Sequence, residues 1–164
     1  MQKYLKLSIL IFCVLALSRL VPHPPNFTSL IALSFYVPIL LGIKYLPALL
    51  LSFAITDLII GYHSGTHWTW GSVLIIALIA GFFNKNMLLR LSGSLISALI
   101  FYLITNFGVW ASGMYGYTLN GLVLCFVLAI PFFTYSLMST FIFSAIIEGL
   151  LKTKFIKSLK LIQI

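Results

Sequence analysis

The chain has 164 residues, of which 62% are hydrophobic and only 7% charged, and its net charge is +8. A soluble domain carries roughly 25% charged residues and could not hide this much apolar surface, so lipid is its expected solvent. The basic residues flank apolar segments, which assigns them to anionic headgroups and topology rather than to nucleic acid.

A first helix is read over residues 4–20, behind Lys3 and Lys6. Residues 1–18 also have the form of a signal peptide. A retained first helix fits better, because it keeps the helix number even and the charge bias intact. Pro22-His23-Pro24-Pro25-Asn26 cannot continue that helix, since three prolines remove donors and fix the backbone. A second helix starts at Thr28 or Ser29, either of which can cap it, and ends before Lys44, with an expected kink at Pro38. A third spans 45–60 and carries Asp57 near its end. Residues 61–69 form a polar turn, and a fourth helix covers 70–83. A basic loop over 84–90 leads into a fifth helix over 91–105, where Ser94, Ser97 and Ala98 offer a small face for close packing. Residues 106–120 read as a loop rich in Gly, Trp and Tyr. The last apolar stretch, 121–151, is read as one long helix kinked at Pro131.

The expected fold is therefore an all-α membrane protein, a bundle of six transmembrane helices forming a single integral domain over residues 1–164. Nine of the ten Lys and Arg residues then fall on one side: Lys3, Lys6, Lys44, Lys85, Arg90, Lys152, Lys154, Lys157 and Lys160. Positive loops mark the cytoplasmic face. Both chain ends, 1–3 and 152–164, are thus expected in the cytoplasm of a bacterial inner membrane.

The opposite face collects the polar chemistry. Arg19 and Asp57 sit near the outer helix ends, where an ionisable group needs a partner or an aqueous cavity. They either pair with each other or hold a charged ligand group. The rigid segment with His23 and Asn26 is either a stiff connector or a lid with polar contacts. His63 and His67 stand four apart, but no Cys or carboxylate completes a zinc set at diagnostic spacing, so no metal is expected. Trp68, Trp70, Trp110, Tyr115 and Tyr117 read as an interfacial belt or as the aromatic walls of a ligand site. Asn106, beside Gly108, is a turn former or a ligand contact. Glu148 is expected to pair with Lys152 one helical turn on. Cys13 and Cys125 lie in apolar runs and read as unpaired small hydrophobes. No phosphate loop, His-Glu-x-x-His, nucleophile elbow or paired-carboxylate centre is present, so neither an enzyme nor a cofactor is expected.

Arg19-x-x-Pro22-His23-Pro24-Pro25-Asn26-Phe27-Thr28, Thr105-Asn106-Phe107-Gly108-Val109-Trp110 and Ile130-Pro131-Phe132-Phe133 together resemble an uncharacterised family of small bacterial integral membrane proteins. More remotely, six helices and an outward polar pocket are similar to the substrate-binding components of energy-coupling-factor vitamin transporters. That likeness implies capture of a vitamin-like or heterocyclic nutrient, with a separate ATPase and coupling module supplying energy. The expected function is outer-face substrate capture, with Arg19, His23, Asn26, Asp57, His63, His67, Trp68, Trp70, Asn106, Trp110 and Tyr115 as the candidate site. The alternative is a membrane scaffold or assembly factor using the same face as a partner interface.

Overall fold

Seven α-helices run in sequence in the computed structural model, which describes residues 2–62 and 65–153. They are α1 (Gln2–Leu20), α2 (Leu30–Leu40), α3 (Leu46–Ile60), α4 (Thr66–Ile79), α5 (Met87–Ala111), α6 (Leu119–Leu128) and α7 (Ile130–Lys152). A 3-10 turn over Ile43–Tyr45 leads into α3 and another over Ala80–Phe83 prolongs α4. No strand occurs among the described residues. His63, Lys154, Lys157, Lys160 and the outermost chain ends lie outside the described residues.

Among the described residues, four stretches are long and apolar enough to cross a membrane: Ile43–Ile60, Thr66–Phe83, Met87–Ala111 and Ile130–Lys152. This suggests a helical membrane protein but corrects the expectation of six spans. Helix α1 is 19 residues long, yet its sequence includes Lys3, Lys6 and Arg19. Helices α2 and α6 have only 11 and 10 residues. At 1.5 Å per residue they reach about 15 Å, roughly half of a ~30 Å hydrocarbon core. Composition marked those segments as apolar, but backbone breaks set their length. Helix α2 stops just before Gly42, whose φ of +101° few other residues adopt without strain.

The last apolar stretch is likewise two helices rather than one kinked helix. The break falls at Ala129, whose N–H is shared between the carbonyls of Cys125 and Phe126. Pro131 is then the second residue of α7, a position whose N–H has no partner within a helix anyway. Helix α6 begins at a Thr118 cap, whose hydroxyl accepts from the Gly121 N–H at 3.0 Å. Pro38 lies inside α2, which ends two residues later.

Helix α2 is the axle of the bundle. Ten of its eleven residues are buried, and it touches α1, α3, α4, α5 and α7. A helix apolar on every side is stable only when surrounded. On one flank Leu30, Leu33 and Val37 pack with Leu15, Leu49 and Phe53. On the other, Phe35, Tyr36 and Ile39 pack with Ile76 and Ala98.

The distribution of polarity is inverted relative to a soluble protein. Ser34, Ser52, Ser72, Ser94, Ser97, Ser139 and Ser144 are buried, whereas Leu58, Leu78 and Phe82 are each more than two-thirds exposed. Inside, Ser34, Ser52 and Ser97 donate to carbonyls four residues back, at 2.6, 2.7 and 2.8 Å. Small hydroxyl residues that satisfy themselves this way let helices approach closely where lipid offers no hydrophobic drive between them.

Successive contacts define two ends. Tyr4 near the start of α1 donates to the Lys44 carbonyl at 3.3 Å and stacks on Tyr45 at 4.9 Å. Arg90 near the start of α5 meets Glu148 near the end of α7. The helix ends bearing Lys6, Lys44, Lys85, Arg90 and Lys152 therefore lie together, and Arg19 lies at the other end with the site described next.

Candidate functional site

Six of the seven helices converge on a cavity of about 370 Å³. Helix α1 contributes Arg19, the segment after it His23, Asn26 and Thr28, and α2 its first residues, Leu30 and Ile31. Helix α3 adds Phe53, Asp57 and Ile60, and α4 adds Thr69. Helix α5 presents Phe101, Tyr102, Thr105, Asn106 and Val109 along one face, and α7 presents Phe132, Phe133 and Ser136. Each contribution comes from the same end of the bundle.

The segment between α1 and α2 is fixed at both ends. The Ser29 N–H and hydroxyl both bond Ser18 Oγ, at 3.1 and 2.7 Å, and Ser18 in turn donates to the Leu15 carbonyl. Pro24 O accepts from the Phe27 N–H at 3.0 Å, which closes a turn that carries Asn26 at φ +62°. Asparagine tolerates this left-handed conformation better than most side chains. His23 lies folded back over the helix end, with Nε2 3.2 Å from Arg19 O and Nδ1 2.7 Å from Pro24 O. Ser139 of α7 reaches the Asn26 carbonyl at 3.5 Å.

Arg19 and Asp57 pair with each other. Arg19 Nη2 donates to Asp57 Oδ1 at 2.6 Å, and Nη1 donates to Thr56 Oγ1 at 2.6 Å and Phe53 O at 3.3 Å. The guanidinium also lies 4.5 Å above the Phe53 ring. The second carboxylate oxygen accepts from Trp70 Nε1 at 3.2 Å. Both charges are thus matched within the protein, the arrangement a low-dielectric site requires.

Of the candidate residues read from the sequence, Arg19, His23, Asn26, Asp57 and Asn106 come together around the cavity. Trp70 stands behind them, bonded to Asp57. Trp68, Trp110, Tyr115 and His67 are not in the cavity wall. Trp68 packs on His67 at 5.5 Å and edge-on to Phe107 at 5.6 Å. Trp110 donates to the Thr118 carbonyl at 3.2 Å and meets Tyr117 edge-on. Helix α5 runs on to Ala111, so Asn106 is helical rather than a loop residue, and its amide N–H bonds the Tyr102 carbonyl at 2.7 Å.

The aromatic walls are Phe101, Tyr102, Phe132 and Phe133, with Tyr102 and Phe133 4.5 Å apart. In sequence these rings look like lipid-facing residues. A signal was present nonetheless: Phe101 to Thr105 and Tyr102 to Asn106 are four apart, which aligns each ring with a polar group on one helix face.

A second charged cluster, also missed, occupies the opposite end. Arg90 Nε and Nη2 donate to Glu148 Oε1 and Oε2 at 2.6 and 2.8 Å, and the Tyr36 hydroxyl donates to Oε1 at 3.0 Å. The expected Glu148–Lys152 pair is thereby corrected. Glu148 is 1% exposed and faces the interior, while Lys152 is exposed. Only an inward-facing cation can match it. Cys13 and Cys125 are free thiols, and among the described residues no three His, Cys, Asp or Glu side chains gather at one point.

No curated protein and no solved structure matches the chain, so nothing in these comparisons links it to the vitamin-transporter components. The sequence from residue 1 to residue 159 does match one family, and the protein is a member of the "Family of unknown function (DUF6580)".

Proposed function

We propose that this protein captures a small molecule at the outer face of the bacterial cell membrane, as a binding or uptake protein rather than an enzyme. The supporting observation is the cavity itself. Its volume lies at the small end of the range for ligand sites, and its walls combine aromatic rings with a few hydrogen-bonding groups. It lies at the end away from the helix termini that carry the lysines, and positive residues mark the cytoplasmic side. Acid–base chemistry has little to work with, because both described carboxylates are held by arginines. Passage across the membrane would fall to rocking of this chain or to a separate ATPase-driven module.

Purified protein screened against small nutrients by thermal unfolding tests this. A true ligand should raise the Tm by several degrees at ~100 times its Kd, worth about 2.7 kcal/mol. Ser136→Trp, which fills the cavity, should abolish the shift. The capture reading fails if no compound stabilises the protein and Asn106→Ala leaves uptake unchanged.

The aromatic cluster of Trp68, Phe107, Trp110 and Tyr117 lies outside the cavity and favours a second reading, an outer-face partner interface. A photocrosslinker at Trp110 would then give one stoichiometric protein adduct.

A further inference from the structure

The charged groups in the cavity wall are engaged with each other, and the unengaged groups there are neutral. Asp57 has one oxygen on Arg19 and the other on Trp70, and both terminal nitrogens of Arg19 have acceptors. An anionic ligand would have to compete with Asp57 for the guanidinium, and a cationic one with Arg19 for the carboxylate. The other titratable groups in the wall are also occupied. His23 has Nδ1 near Pro24 O and Nε2 near Arg19 O, and its neutral ring donates to one of them, while the Tyr102 hydroxyl donates to Phe126 O at 2.6 Å.

Four neutral side chains remain. Asn106 uses one amide N–H on Tyr102 O, which leaves Oδ1 and the second N–H without a partner among the described residues. Ser136 is 2% exposed, lines the cavity, and has no partner for its hydroxyl among those residues. The Asn26 amide and Thr69 hydroxyl are likewise unengaged. A fixed primary amide offers an acceptor and a donor side by side, which complements the N–H and C=O edge of another amide.

We infer that the cavity selects an uncharged, ring-bearing molecule with an amide, lactam or imide edge, read by Asn106 and Ser136 between the Phe101/Tyr102 and Phe132/Phe133 rings. Arg19 and Asp57 then shape the wall instead of binding the ligand. A site whose amide and hydroxyl groups are left unpaired disfavours analogues that cannot bond them. A charged analogue would also lose its hydration without gaining a counter-ion. This inference rests on the capture reading.

Charge selectivity can be measured without knowing the ligand. In a Cys13→Ala/Cys125→Ser background, Ser136→Cys places one thiol in the cavity wall. Purified protein is treated with neutral methyl methanethiosulfonate, its anionic sulfonatoethyl analogue and its cationic trimethylammonioethyl analogue, with each rate normalised to that of a small thiol in solution. The neutral reagent should react at least tenfold faster than either ion. Adding Asp57→Asn should favour the anion and adding Arg19→Gln the cation, while the double variant Arg19→Gln/Asp57→Asn restores the neutral preference. If either ion matches the neutral reagent in the Ser136→Cys protein, the neutral-ligand inference is overturned and capture still stands. Neutral preference with no stabilising compound in the thermal screen and unchanged uptake in Asn106→Ala overturns capture, and this inference with it.

Discussion

Glu148 receives three hydrogen bonds, two from Arg90 and one from Tyr36. Removing the carboxylate would strand the charge of an arginine whose side chain is only 9% exposed. Glu148→Ala should therefore cost about 3–5 kcal/mol, seen as a large drop in thermal unfolding temperature in detergent. The double variant Arg90→Met/Glu148→Met should recover most of that loss, because a buried pair replaced by apolar groups of similar size is often near neutral. Tyr36→Phe removes one bond to an oxygen that keeps Arg90, and about 0.5–1.5 kcal/mol should go with it. None of this was legible from the chain, in which Glu148 stands four residues before Lys152. Rotation about α7, not spacing along it, decides that Glu148 points inward. The Arg19–Asp57 pair was legible as one of two alternatives, since both residues lie at helix ends that had to meet at the same membrane depth.

Among the elements, α5 shows how close approach is built. Asn86 caps its start by accepting from the Leu89 N–H at 2.9 Å. Ser144 of α7 then donates to Ser94 across the interface at 3.0 Å, where both side chains are fully buried. A methyl group on Gly93 would strike the Phe83 and Phe35 side chains, and one on Gly108 would strike the Trp68 ring. Gly93→Ala and Gly108→Ala should each destabilise by about 1–3 kcal/mol through overpacking. Gly71 and Gly149 are helical glycines with open space where a methyl would go. Alanine at either should be neutral or stabilising by up to about 1 kcal/mol, because glycine is the poorer helix former. Thermal unfolding of the four variants side by side checks the contrast. The small face of Ser94, Ser97 and Ala98 was readable from composition. Its partner was not, because any apolar helix satisfies the same pattern.

For the molecule as a whole, the two charged clusters stand at opposite ends of the bundle, Arg19–Asp57 joining α1 to α3 and Arg90–Glu148 joining α5 to α7. Sixteen residues of α5 separate Arg90 from Asn106, a rise of about 24 Å. With the lysine-bearing end in the cytoplasm, Lys44→Cys and Lys85→Cys should react with an impermeant thiol reagent only when the inner face is open to it. Ser112→Cys, exposed just beyond α5, should react in intact spheroplasts. The reverse pattern would invert the proposed orientation and put the cavity on the cytoplasmic side.

Apolar composition, the cations at helix ends and the proline-rich break between α1 and α2 suffice to specify a helical membrane protein, because only lipid can solvate that much apolar surface. Helix lengths and the split at Ala129 depend on backbone breaks that composition does not mark, and the phenylalanine walls and the Arg90–Glu148 pair on which way each helix is turned. A uniformly apolar segment leaves that rotation undetermined until neighbouring helices pack against it.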